Sequence, residues 1–146
     1  PFRKDTSPLW DWAPHDVALV LDLVCEMPTK RLEAFEQKVP MPNGHVGYVY
    51  TIELEFPSGV KATIVTGNGF NQKTRFLRAA GTDGMLTFDG KDTPRLPPLT
   101  SAILTFLKAV VLQQDDARLG MTLGYQVVKV LSAVDYWLKT EGAPVS

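Results

Sequence analysis

The sequence predicts an α+β fold: an open, mainly antiparallel β-sheet with helices packed on one face and the other face available for oligomerisation. Three observations carry that prediction. Residues 48–56 put Tyr48, Tyr50, Ile52, Leu54 and Phe56 on one face and Val49, Thr51, Glu53 and Glu55 on the other, the two-residue period of a half-buried strand. Short turns at Pro57-Ser58-Gly59, Gly67-Asn68-Gly69 and Gly81-Thr82-Asp83-Gly84 separate successive strand patterns. They leave no chain for parallel crossovers, so a meander results. Helical periodicity is confined to the two ends of the sequence, with no βαβ alternation between them.

In chain order, Pro1 to Leu9 has no periodicity and reads as a loop. Pro14 suits the first helical position, where its missing N–H costs nothing, and a helix runs from there to about Met27. Its apolar face is Val17, Val20, Leu21 and Val24, widened by Leu19 and Leu23, so burial on more than one side is expected. Pro28 stops it. Thr29 to Lys38 alternates as a strand, with Leu32, Ala34 and Glu36 opposite Glu33, Phe35 and Gln37. The turn-forming stretch Val39 to Val46 follows, and then the strand from Tyr48. Pro57-Ser58-Gly59 folds that strand back onto Val60 to Thr66 as an antiparallel hairpin. Further strands are expected around Thr74 to Ala80 and Met85 to Phe88. After a rigid connector from Pro94 to Pro98, Leu99 to Gln113 forms a helix with Leu99, Ile103, Phe106, Leu107 and Val110 on its core side. A last helix, about Thr122 to Glu141, carries the stripe Leu123, Val127, Val130, Leu131, Val134 and Leu138 before Gly142 and Pro144 end it.

A length of 146 residues suits one domain, 1–146, with a real core. The 45% hydrophobic and 21% charged fractions are those of an ordinary globular protein, and a net charge of -1 argues against recruitment by nucleic acid or an anionic membrane. The longest apolar run is too short to span a bilayer and no signal peptide is visible, so a cytoplasmic location is expected. The chain opens Pro-Phe-Arg-Lys without methionine, as a processed or excised piece does. Cys25 is the single cysteine, which rules out an internal disulfide; inside the apolar helix it is expected to be buried and inert.

Polar, aromatic and helix-start signals converge only in Trp10 to Glu26. Asp11 and His15 stand four residues apart around Pro14. A neutral imidazole can take the proton of a hydroxyl as an alcohol is oxidised, and a neighbouring carboxylate can fix its tautomer. Spacing alone leaves open whether Asp11 turns to that ring or to the unpaired N–H groups of the helix start. Trp10 and Trp12 suit either the walls of a pocket for a polar substrate or core anchors. Elsewhere the simpler readings hold. His45 is a loop residue without ligand-spaced neighbours, Asp115-Asp116 a helix-end charge pair, and Lys73, Arg75 and Arg78 a solvated face. Gly67-Asn68-Gly69 lacks the third glycine and the following helix of a phosphate-binding loop. No Walker lysine motif, Gly-x-Ser-x-Gly elbow or His-Glu-x-x-His sequence occurs.

The ordered set of parts resembles the C-terminal domain of the glucose-fructose oxidoreductase, inositol dehydrogenase and rhizopine catabolism protein (Gfo/Idh/MocA) family. The resemblance runs through Asp11-Trp12-Ala13-Pro14-His15-Asp16 and its apolar helix, then Phe56-Pro57-Ser58-Gly59 and Gly81-Thr82-Asp83-Gly84-Met85-Leu86. The closing helix through Val127 to Leu138, ending Gly142-Ala143-Pro144-Val145, completes it. It implies that His15 is the proton acceptor or donor at the reacting carbinol of a sugar, cyclitol or polyol-like substrate, with Asp11 orienting it. It also implies subunit pairing through the free sheet face. That family binds NAD or NADP in an N-terminal Rossmann domain that also supplies a Glu-Lys-Pro lysine, and neither is in this sequence. The expectation is therefore a substrate and oligomerisation domain, inactive alone because the hydride acceptor is the cofactor. A stand-alone pairing module without catalytic function is the alternative, since a sheet covered on one side exposes much apolar surface.

Overall fold

The computed structural model describes residues 6–42, 44–72, 75–89, 98–113 and 120–140. Eight elements follow in order: α1 (Pro8–Val24), β1 (Arg31–Pro40), β2 (Val46–Glu55), β3 (Lys61–Gly67), β4 (Phe76–Gly81), β5 (Gly84–Asp89), α2 (Pro98–Leu112) and α3 (Met121–Thr140). They form two compact units, one from the described residues of 1–70 and 117–146, the other from those of 71–116. The fold class is α+β, as expected, but the strands make two antiparallel sheets, β1-β2-β3 and β4-β5, rather than one meander.

In the first unit β2 is the central strand. The inner face of its sheet is Ala34, Tyr50, Ile52, Leu54 and Ile64, all buried, continued by Phe56 just beyond β2. The alternation read from residues 48–56 thus sets the register of the whole sheet. Against this face lie α1, touching β3, and α3, touching β1, and the two helices pack on each other. Helix α3 buries Val127, Val130, Leu131 and Val134, with Leu123 and Leu138 flanking, so the expected stripe is observed whole. No helix among the described residues is long and apolar enough to cross a membrane.

Helix α1 departs from expectation at both ends. It starts at Pro8, six residues before Pro14, because Pro8 already suits the first helical position and Leu9 extends the buried stripe. Pro14 is then inside the helix. The buried stripe becomes Leu9, Ala13, Val17 and Leu21, while Leu19 and Leu23 are exposed, so α1 is covered on one side only. Cys25 ends the helix in a left-handed conformation (φ 58°), its N–H donating to the Leu21 carbonyl at 2.9 Å. The thiol is exposed, contrary to the buried position expected, because it lies past the last helical turn.

The meander breaks at Gly67-Asn68-Gly69. Instead of turning into a fourth strand, this segment folds over the start of β2. The N–H groups of Asn68 and Gly69 both donate to the Tyr48 carbonyl at 3.0 Å, and the Asn68 side-chain oxygen accepts from the Tyr48 N–H at 2.8 Å. Gly67 has φ +136°, and a Cβ there would stand 2.1 Å from the Tyr48 carbonyl oxygen. Gly47, on β2, is also crowded, a Cβ on it meeting the Gly69 Cα at 2.6 Å. Only glycines permit this contact.

The second unit holds the β4-β5 hairpin, joined by the two-residue turn Thr82-Asp83, and helix α2. The side of α2 expected to face a core is not buried: Ile103, Phe106, Leu107 and Val110 are all exposed. One hairpin and one helix have too little surface between them to form a closed core. The side chains of Leu99 and Lys73, the pair Asp115-Asp116 and the helix stop at Gly142 to Pro144 lie outside the described residues.

Gly67→Ala is expected to destabilise the fold by about 2 kcal/mol or more through strain and collision. Gly81→Ala, where a Cβ meets nothing within 4 Å, should stay within about 0.5 kcal/mol of the parent. Urea unfolding midpoints of the two variants check the contrast.

Candidate functional site

Because α1 begins at Pro8, Asp11 and His15 both lie within it, one turn apart and on the same side. At about 100° per residue that side is opposite the buried stripe. His15 is accordingly exposed and Asp11 half-buried. The N–H of Asp11 already donates to the Ser7 carbonyl at 3.1 Å. The two tryptophans part company. Trp10 packs against the hydrophobic core, whereas Trp12, 43% exposed, is a three-residue neighbour of His15 on the outer side. His45 is exposed in the turn between β1 and β2. In the second unit Arg78 lies over the Phe76 ring at 5.6 Å, and Arg75 is exposed.

Sequence reasoning missed what lies beneath the pair. The rung Glu36–Tyr50–Thr66 runs straight across the sheet, Glu36 paired with Tyr50 and Tyr50 with Thr66. Its side chains share the face that meets α1. The Thr66 hydroxyl, in a residue only 5% exposed, donates to Asp16 Oδ2 at 2.7 Å. Tyr50 is buried. Ser7, the N-cap residue of α1, makes no side-chain bond to the helix it precedes. The signal available was polarity at inward positions: Tyr50 among Ile52 and Leu54, and Thr66 after Ala62 and Ile64.

Burial, reinforced by the carboxylate of Glu36, pushes the Tyr50 phenol up to about 12. Its ring also stacks with Tyr48, centroids 6.4 Å apart and planes 10° from parallel. Among the described residues no three His, Cys, Asp or Glu side chains gather as a metal ion requires.

Neither a protein-family model nor a curated protein sequence matches the chain. Its fold is similar to a solved structure, the UDP-N-acetylglucosamine 3-dehydrogenase GnnA from Acidithiobacillus ferrooxidans. The TM-score is 0.66 at 17% identity, over 94% of this chain and 51% of that one. The likeness is one of fold, and this chain spans about half the length of the structure it matches.

The phenol gives a pH test. Below pH 10, the ordinary value, Tyr50 is neutral folded or unfolded; between 10 and about 12 the unfolded chain ionises it and the folded chain does not. Stability from this group therefore falls as pH rises through that window. Relative to Tyr50→Phe, the parent is expected to lose about 2–3 kcal/mol across it. Paired urea titrations at pH 9 and above, following the difference between the two proteins, measure the loss.

Proposed function

We propose that the chain is the substrate-side and oligomerisation domain of an NAD(P)-dependent oxidoreductase acting on a sugar, cyclitol or polyol-like compound. The observation that carries the proposal is the Asp11–His15 pair, one turn apart on the outer side of α1 with His15 exposed, in a fold shared with half of a protein named as a sugar-nucleotide dehydrogenase. In this role His15 takes the hydroxyl proton from the reacting carbinol, or returns it in reduction, while Asp11 holds the ring in the orientation the transfer needs. Trp12, beside His15, offers an aromatic surface to the apolar face of a pyranose or cyclitol ring, and Trp10 anchors the same turn in the core.

The nicotinamide supplies the hydride acceptor, and the described residues do not fit it. The one glycine-rich segment that approaches a phosphate loop has given the N–H groups of Asn68 and Gly69 to the Tyr48 carbonyl. The dinucleotide therefore belongs to a domain outside the half that this chain matches, and the chain alone is inactive.

In the intact enzyme His15→Ala is expected to lower kcat about 100-fold or more, with dinucleotide affinity unchanged. Single-turnover assays beside dinucleotide titration separate the two quantities. An unaltered rate removes His15 from the mechanism.

The outer face of the three-stranded sheet supports pairing of two copies. Phe35 and Val65, each 55% exposed, flank Thr51 in one rung, away from α1 and α3. A Phe35→Lys, Val65→Lys double variant is expected to sediment as a monomer where the parent is a dimer or larger. A parent that is itself monomeric at micromolar concentration would rule out this part of the proposal.

A further inference from the structure

We propose that the polar rung Glu36–Tyr50–Thr66, acting through the bond from Thr66 to Asp16, positions the segment of α1 that carries Asp11 and His15. Thr66 is then a positioning residue for that pair. The inference rests on reading the pair as the reacting groups, and it adds residues that neither the motif nor the fold likeness singles out.

The rung stands out by its chemistry. The next rung along, Ala34–Ile52–Ile64, is apolar and buried, and the one beyond, Leu32–Leu54–Ala62, is also apolar. Polar side chains enter this face under the first turns of α1, where Thr66 is bonded to Asp16. That contact lies one residue beyond His15.

That segment needs support from outside the helix. Ser7 leaves the helix start without a side-chain cap. Pro14 has no N–H for the carbonyl of Trp10, so the helix lacks a backbone bond directly before His15. The apolar contacts here, through Leu9, Ala13 and Val17, are non-directional and tolerate a small rotation or slide of α1. A hydrogen bond from a buried hydroxyl to a carboxylate does not tolerate it. Asp16 follows His15 directly, so fixing the Asp16 carboxylate on Thr66 fixes the direction in which the next residue along the backbone projects.

Amide hydrogen exchange on the full chain tests the inference without any substrate. Thr66→Val removes the donor, and Asp16→Ala the acceptor. Each is expected to speed exchange at Ala13 and His15 about tenfold while the α3 amides of Val130 and Leu131 keep their protection. Thr66→Ser and Asp16→Asn retain the bond and should stay within about twofold of the parent, which separates a lost tether from a lost charge. In Thr66→Val exchange at His45, in the β1–β2 turn, should stay as in the parent. The proposal is overturned if Thr66→Val leaves exchange at Ala13 and His15 unchanged, if Asp16→Asn behaves as Asp16→Ala does, or if α1 and α3 lose protection equally. Should Thr66→Val fail to fold, the two Asp16 variants decide by the same criteria. None of these measurements uses redox chemistry, so the tether and the catalytic role of His15 fail separately.

Discussion

What faces outward on α1 follows from what its inner side must bury. Leu9, Ala13, Val17 and Leu21 recur every fourth residue and are shut from water against the inner face of the sheet and α3. Four residues overshoot one turn by about 40°, so the stripe forms a band about 120° wide that winds slowly round the helix. Asp11 and His15 repeat the same four-residue step on the opposite side. They stay side by side for the reason the stripe stays continuous, and they lie away from the core because the stripe does not. Ala13, and Ala34 on β1, are fully buried, and their small side chains leave room for larger neighbours such as Phe56 and Ile52 in the same core.

The three-stranded sheet and the last helix were legible in the sequence because each rests on a periodic pattern that tertiary packing reinforces. Tyr50, Ile52, Leu54 and Phe56 alternate and are buried; Val127, Val130, Leu131 and Val134 follow helical spacing and are buried. The start of α1 was misread because two prolines compete for one rule. Pro14 satisfies the first-position preference as well as Pro8 does, and only the contacts of Leu9 and Ala13 with the core show that the helix absorbs the loss of a bond at Pro14. The apolar side of α2 was misread for a different reason. Periodicity states which residues can be buried together, and whether another surface covers them depends on the rest of the fold. The break in the meander was hidden because Gly67-Asn68-Gly69 has turn composition whether it closes a hairpin or straps the end of β2. The distinction lies in which carbonyl its N–H groups meet.

The polar rung illustrates what a buried hydrogen bond contributes. Replacing Tyr50, Thr66 and Asp16 with apolar groups of similar shape need not weaken the fold, because each bond within the protein stands in for bonds the same groups make with water. The contribution lies in direction. Aliphatic contacts between α1 and the sheet favour closeness and leave rotation about the helix axis loosely set, whereas the Thr66–Asp16 bond has one geometry. The rows deeper in the sheet, where α1 carries no candidate chemistry, are apolar. Specific geometry is concentrated under the turn that holds Asp11, Trp12 and His15.

The same hydrogen-bond accounting constrains where an electron acceptor can sit. A dinucleotide pyrophosphate is held by backbone N–H groups that have no other partner and converge at a helix start. Here Asn68 and Gly69 direct theirs to Tyr48, and α1 starts at Ser7 and Pro8, the second of which has no N–H to offer. These glycines serve close packing instead, as the approach of Gly47 to Gly69 requires. A helix buried on one side, with Thr66 bonded to Asp16 beneath its first turns, keeps His15 in solvent while its own sheet fixes the backbone that carries it.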